Sequence, residues 1–374
     1  MKRPFASGSN GRQRVLVYRL GSLGDTVVAL PALRLVANAF PQAERWALTN
    51  YSVNSKAAPM AAVLDGTGLI HGYLAYPLRL RSISGLIRLR REIRRISPNV
   101  LVYLAAPRGR VKAWRDVAFF LSCGIKRFIG VPYAAAHQKP MLLEGGMYEY
   151  EGARLLRCLD ALGAMHLDDP AAFDLSLSDS EHNAARIALG RLTDGCPLLA
   201  ASVGAKVDVK DWGDEKWTAL ISNLGQRLRG WGLVMVGAPE EEVRSERLLA
   251  NWPGDRLNLC GRVNVRESAA ALAHANIYLG HDSGPMHLAA AVGTPCVAVF
   301  SSRNRPGEWF PYGRHHRVVF HPIWCQGCEL NVCTARDKMC IRSITVDEVE
   351  REVVGLASQV SATTPGHLRP EDRI

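Results

Sequence analysis

Between Leu279 and Phe300 the chain reads LGHDSGPMHLAAAVGTPCVAVF, which sets Asp282, Ser283, Gly284, Pro285, Met286 and His287 between two apolar runs. Residues 277–280 are apolar enough for a buried strand. Ser283 or Asp282 can cap a helix, and Pro285 is tolerated in a first helical turn. His287, Leu288, Ala291 and Val292 follow at helical spacing, Gly293 and Pro295 end that helix, and residues 296–300 resume a strand. The turn therefore joins the carboxyl end of a strand to the amino end of a helix, where unpaired amides and the helix dipole favour an anion such as phosphate. A well-capped helix accounts for Ser283 and Pro285 but not for His287. Asp282 can accept from sugar hydroxyls, while Ser283 and the amides of Gly284, Met286 and His287 can face a phosphate.

Three other stretches carry residue types suited to chemistry. GSLGD, residues 21–25, offers Gly21 and Gly24 for a tight turn and Asp25 either as a helix cap or as a carboxylate that takes a proton from a hydroxyl nucleophile. SVGAKVDVKDWGDEKW, residues 202–217, places Lys206 and Lys210 in a loop after a strand, as solvated ammonium groups or as ligands of a diphosphate. MVGAPEEE, residues 235–242, ends a strand and opens a helix with acids that either complement the dipole or bind ribose hydroxyls.

These stretches need elements to hold them. Apolar runs predict strands at 15–20, 44–49, 100–104, 198–203 and 233–237. Helical patterns fall at 26–40, 114–123, 142–164, 215–228 and 240–251. Alternating strands and helices imply an α/β protein of parallel sheets covered on both faces by helices. With 374 residues and 48% hydrophobic residues, two domains are expected, with a boundary at residues 177–178 and ligands at the carboxyl ends of the strands. Residues 1–13 are polar and basic without the apolar core of a signal peptide, and are expected to form a disordered tail. Residues 359–374 are expected to form a flexible one. No apolar run approaches the roughly 18 residues of a membrane span, which together with the cysteine usage predicts a cytoplasmic protein.

The formal net charge of +11 predicts anionic partners. Residues 79–95 carry seven arginines (Arg79, Arg81, Arg88, Arg90, Arg91, Arg94, Arg95), one acid, Glu92, and an apolar stripe of Leu86, Leu89, Ile93 and Ile96. Arg108, Arg110, Lys112 and Arg115 extend the positive region. This is a solvated basic face or a contact for anionic lipid or a phosphorylated glycolipid; no groove-reading or aromatic-interleaved pattern supports nucleic acid. Cys325, Cys328, Cys333 and Cys340 are spaced C-x2-C-x4-C-x6-C, as four packed thiols or as a structural site for zinc or iron.

Taken together, RLGSLGDTVVALPAL, the lysine loop, GAPEEE and GHDSGPMHLAAAVGTP resemble glycosyltransferase family 9, the heptosyltransferases of bacterial lipopolysaccharide assembly, from about residue 15 to residue 354. The resemblance implies a GT-B fold: two Rossmann-like domains facing a central cleft, the first binding the acceptor and the second the nucleotide sugar. It implies inverting transfer of a heptose from an ADP-heptose donor to an anionic glycolipid, with no metal cofactor. It places such an enzyme at the cytoplasmic face of the inner membrane. It makes Asp25 the general base, with Gly21 and Gly24 shaping its turn. Lys210 becomes the diphosphate lysine and Glu241 the ribose acid. Asp282 becomes the donor-sugar acid, and Ser283, Gly284, Pro285 and Met286 the phosphate loop. The adenine would lie near residues 261–265. Lys206 departs from the family, which often has a hydroxyl there, and adds a second cation. The cysteine spacing differs from that of the iron-binding autotransporter heptosyltransferases. The same residues also allow a different nucleotide-sugar donor, a silent nucleotide-sugar-binding protein, or a metal-thiol sensor.

Overall fold

Residues buried on both faces of a sheet read as unbroken apolar runs, and this is how the central strands form. The structure, a computed structural model, describes residues 13–50, 58–77, 83–193 and 195–363. In the first unit β1 (Arg14–Tyr18) lies between β2 (Glu44–Thr49) and β4 (Val100–Tyr103). β3 (Gly72–Ala75) and β5 (Arg127–Ile129) form the edges, and all pairs are parallel in the order β3-β2-β1-β4-β5. In the second unit six parallel strands follow the order β11-β10-β9-β6-β7-β8. They are β6 (Leu198–Ser202), β7 (Gly232–Met235), β8 (Arg256–Asn258), β9 (Ile277–His281), β10 (Cys296–Phe300) and β11 (Arg317–Phe320). Both sheets reverse their winding once, beside β1 and β4 in the first and beside β6 and β9 in the second. Ligands of doubly wound sheets bind outside the carboxyl ends at such points. In the second, Ser202 pairs with Gly280, so both chains leave the sheet at one level.

Several expected elements change. The helix read over 26–40 is two, Leu23–Val28 and Leu30–Ala39, because Pro31 has no amide to bond back to Val27. The helix read over 142–164 shrinks to Glu151–Cys158. Gly145 and Gly146 adopt φ of +73° and +75°, and Leu142 bridges Tyr148 in an irregular turn. The basic helix runs Ile83–Ile96 and buries only Leu89 and Ile93 of its expected stripe; Leu86 is exposed and Ile96 half-buried, while Arg79 and Arg81 lie outside the described residues. The last helix, Val346–Thr363, passes position 359, where a flexible tail was expected; the rest of that tail and nearly all of the amino-terminal one lie outside the described residues. No described helix is long and apolar enough to cross a membrane.

The chain passes from the first unit to the second between Ala172 and Phe173, ahead of the 177–178 boundary read from sequence, and the second unit also takes Leu142–Tyr150. Phe173 stacks on Tyr312 at 5.5 Å. The carbonyls of Leu175 and Ser176 each accept from Arg266 at 3.0 Å, which commits this strap to the second unit. Arg266 is buried, and its Nε and Nη2 grip the Glu181 carboxylate.

That grip, ahead of the hydrogen bonds from Ser178, pulls the Glu181 carboxyl down to about 2 from its usual 4.5. A carboxyl whose folded pKa is depressed stabilises fully above its unfolded pKa and loses that contribution as pH falls toward the folded value. The second unit is therefore expected to weaken between about pH 4.5 and pH 2. Arg266→Met should lower stability at neutral pH, since it removes the buried guanidinium that holds Glu181 and leaves the Leu175 and Ser176 carbonyls without their donor, and should flatten this acid-side slope. Urea unfolding at pH 7 and 3.5 reads both.

Candidate functional site

At the carboxyl ends of β6 and β9 the second unit gathers side chains far apart in sequence. β9 ends at His281, and Asp282 and Ser283 lead into the helix Gly284–Ala291, with Ser283 extended at the N-cap and Pro285 in the first turn. The amides of Gly284 and Met286 in that turn have no acceptor within the helix. His287 differs from its expected place. Its amide reaches back to the Ser283 carbonyl at 3.4 Å, and its ring is buried edge-on to Trp309, 6.3 Å away. It belongs to the inner side of the helix.

Asp282 is buried, and Lys210 Nζ lies 2.5 Å from its Oδ2 and 3.4 Å from its carbonyl. Asn304 Nδ2 donates to the same Oδ2 at 3.1 Å. Two residues singled out separately in sequence thus form one ion pair. Lys206 stays exposed on the loop.

The lysine loop is pinned by residues the sequence reading did not select. The fully buried His281 ring accepts at Nε2 from the Trp212 amide (3.1 Å) and from Trp217 Nε1 (3.2 Å), which assigns its proton to Nδ1, 3.4 Å from the Gly204 carbonyl. Burial pushes its pKa down to about 4, so the ring is neutral at pH 7. Arg244, on the helix Glu242–Leu249, holds both oxygens of Asp211 at 2.9 and 3.0 Å and the Val203 carbonyl at 2.9 Å. A histidine closing an apolar strand was the one readable signal; the partners of Arg244 lie 33 and 41 residues away.

Glu241 accepts from the Ala238 amide at 3.2 Å, and its carboxylate lies across two glycines. A Cβ on Gly204 would sit 1.7 Å from its Oε1, and one on Gly237 2.1 Å from its Oε2. Gly261, at φ +71°, bonds the Gly237 carbonyl beside it, where the adenine was expected. Ser202 Oγ, the Tyr278 hydroxyl and Ser283 Oγ are buried here, and the two serine hydroxyls lie beside that of Tyr278.

In the first unit Ser22, not Asp25, is the N-cap; Asp25 sits three residues on and turns back. Its Oδ2 accepts from the Ser22 amide (2.7 Å) and hydroxyl (2.8 Å), and its Oδ1 lies 3.9 Å from Arg19 Nη2. Its side chain is 31% exposed, so the carboxylate keeps access to solvent. Gly24 is buried in the first turn. Gly21 donates to Asn50 Oδ1 at 2.7 Å, and a Cβ there would meet the Asp25 Cβ at 2.3 Å, so only glycine lets the turn close over this acid.

Of the four late cysteines, Cys325 and Cys328 lie near enough to Cys340 to add to the rise that burial gives its pKa. Cys325, Cys333 and Cys340 are half-buried and Cys328 exposed, all as free thiols. No three His, Cys, Asp or Glu side chains converge for a metal among the described residues.

Two units of parallel α/β build, each with polar residues at its switch point, make this a GT-B fold. The profile of glycosyltransferase family 9 (heptosyltransferase) matches residues 157–338. Lipopolysaccharide heptosyltransferase 1 of Pseudomonas aeruginosa is 28% identical over 166 residues, 44% of this chain and 45% of that protein. The chain thus matches less than half the length of this relative. Among solved structures, a glycosyl transferase family 9 protein of Veillonella parvula superposes with a TM-score of 0.69 at 18% identity, covering 95% of this chain and all of that one. E. coli heptosyltransferase WaaC with ADP-2-deoxy-2-fluoro heptose gives 0.60 at 17% identity, covering 91% of this chain and 99% of that one.

If His281 latches the lysine loop, His281→Leu leaves the Trp212 amide and the Trp217 indole N–H unsatisfied. The expected cost is about 2–4 kcal/mol at roughly 1–3 kcal/mol per stranded group. Amide exchange should quicken across residues 204–212; wild-type exchange there would show that the loop is held by other contacts.

Proposed function

We propose that the protein is an inverting glycosyltransferase that moves a heptose from an ADP-heptose donor to an anionic, lipopolysaccharide-type glycolipid. The observation that carries this reading is the Lys210–Asp282 pair at the amino end of the helix Gly284–Ala291, within the stretch that matches the family. The second unit takes the donor. The amides of Gly284 and Met286, with Ser283 at the N-cap, face the diphosphate, and Lys210 moves onto it, assisted by Lys206. Asp282, released from Lys210, accepts from the sugar hydroxyls, and Glu241 from the ribose.

The first unit takes the acceptor, and Asp25 is the base. The acceptor oxygen attacks the anomeric carbon from the face opposite ADP. Its new bond to carbon forms as the bond to the diphosphate oxygen breaks, and its proton passes to Asp25. The charge that develops on ADP meets lysine cations and a helix terminus already aimed at it, so the step asks for no divalent metal.

The acceptor's lipid implies contact with a membrane, at the cytoplasmic face of the inner membrane in this reading. Arg88, Arg91, Arg94 and Arg95 are exposed on the helix Ile83–Ile96, and Arg90 ties that helix to Arg110–Ser122 through the Ser122 carbonyl (2.8 Å). The outer side of the second helix carries Val111, Trp114 and Leu121 at 83%, 59% and 52% exposure. Cations beside apolar and aromatic side chains suit the headgroup region of an anionic bilayer.

Two measurements test this. Calorimetry without divalent metal should show ADP bound in preference to GDP and UDP. Asp25→Asn should keep that binding and lose at least about 10²-fold in transfer to lipopolysaccharide from a heptose-deficient strain, the usual scale of a general base. Full turnover by that variant would end the assignment. The protein should also sediment with vesicles containing phosphatidylglycerol and be released by salt, and Arg91→Glu with Trp114→Ser should abolish this. Equal retention of the double variant would place the membrane contact elsewhere.

A further inference from the structure

Behind Asp25 runs a chain of alternating charge. Arg154 Nε and Nη2 hold the two oxygens of Glu151 at 2.6 and 2.8 Å. Glu151 Oε1 lies 3.5 Å from Arg19 Nη1, and Arg19 Nη2 lies 3.9 Å from Asp25 Oδ1. Arg19 also donates to the Leu104 carbonyl at 2.8 Å and to the carbonyl of Asp25 itself at 2.9 Å. Arg154, Glu151 and Arg19 are all buried; only Asp25, at the end, reaches solvent.

The arrangement is poorly explained by stability alone. Arg19 Nε is buried with no hydrogen-bond partner among the described residues, and apolar side chains of equal volume commonly stabilise as well as a buried ion chain. Arg19 follows β1 as Leu104 follows β4, so the guanidinium bridges the two strand ends at the switch point of the first sheet. From there it fixes the Asp25 backbone and sets a cation behind the Asp25 carboxylate. Glu151 stands against the far side of that cation, and Arg154 grips both oxygens of Glu151. Ser22 and Arg19 face the Asp25 carboxyl, with Glu151 and Arg154 behind Arg19.

We propose that Arg19 is the positioning residue of Asp25, and that the Glu151–Arg154 pair sets how much of its charge the carboxylate feels. The proposal rests on Asp25 being the base of the reaction above. Arg19 keeps that base ionised and turned toward the acceptor in every molecule, and it touches no substrate.

The test follows the Asp25 carboxyl carbon by 13C NMR in full-length protein labelled at aspartate side chains, the signal assigned by its loss in Asp25→Asn. Losing an opposite charge at this range raises a carboxyl pKa by about one unit or more, so Arg19→Met should move the midpoint up that far. Arg19→Lys should restore most of the shift. Glu151→Gln removes the partial neutralisation and should move the midpoint the other way. If Arg19→Met does not fold, the Glu151→Gln shift decides alone. A midpoint that stays put in the folded variants, with stability merely lowered, makes the chain structural and overturns the proposal. The transfer assay separates the two readings. If Asp25→Asn retains full transfer, the base assignment fails and the positioning role with it. If Asp25→Asn is inactive but the NMR midpoints do not move, only the positioning role fails.

Discussion

His281 ends β9 with its ring sealed from solvent, and the arrangement of the second unit's site follows from the state that burial imposes on it. With its pKa pushed down to about 4, the imidazole is uncharged at neutral pH. It then has one acceptor nitrogen and one donor nitrogen. Two N–H groups claim the acceptor, so the donor faces Gly204 and the tautomer has no freedom. The ring thereby joins three segments: the end of β9, the loop after β6, and the start of the helix Asp214–Arg227 through Trp217. The residue after His281 is Asp282, and the loop it holds carries Lys210. A site assembled by a neutral, fully bonded ring is set before a ligand arrives, so little ordering remains to be done on binding.

The charges around this latch explain how two carboxylates can sit beside a place suited to anions. Asp282 is neutralised by Lys210 and Asn304, and Glu241 is drawn onto the Ala238 amide at the other flank. At the same end of the sheet lies the terminus of the helix Gly284–Ala291, with its unpaired amides. Donors stand in the middle and acceptors at the sides. That order matches a ligand whose phosphates are central and whose hydroxyl-bearing sugars lie at either end. Under the proposed function, Lys210 has a partner in both states, Asp282 before binding and the diphosphate after it. Its charge is therefore never left buried and alone, which would be the expensive alternative.

How much of this could be read in the sequence depended on whether the signal was local. The central strands β1, β4, β6, β9 and β10 stood out because they are continuous apolar runs. The edge strands β3, β5, β8 and β11 are three or four residues long and half-polar, and they went unread. The false helix at 142–150 failed where Gly145 and Gly146 take left-handed backbone that periodicity does not encode. Asp282, Lys210 and Asp25 were legible by type and by neighbouring glycines. The 72-residue link between Asp282 and Lys210 was not, nor was the grip of Arg244 on Asp211. The cysteine spacing allows a ligand set, but spacing alone does not say where the thiols point. The chain between those cysteines passes through positive φ at Glu329, Asp337 and Lys338.

Two buried arginine networks in this chain show how a structural ion pair differs from one that serves a site. Arg266 binds Glu181 and two carbonyls, so its Nε, Nη1 and Nη2 all have acceptors, and its network ends where it began, within the scaffold. Arg19 is buried at least as deeply, yet it leaves Nε unmet and stands 3.5–3.9 Å from both of its acids rather than in close bidentate contact. A pair optimised for stability closes that gap, because Coulomb energy rises as the separation shrinks and the desolvation cost has already been met. Arg19 gives up that closeness to hold two backbone carbonyls, that of Leu104 just past β4 and that of Asp25 in the helix Leu23–Val28. The result is a cation fixed in position relative to a carboxylate that stays partly exposed. That geometry weakens a salt bridge, and under the proposed function it leaves the carboxylate placed and accessible for proton transfer.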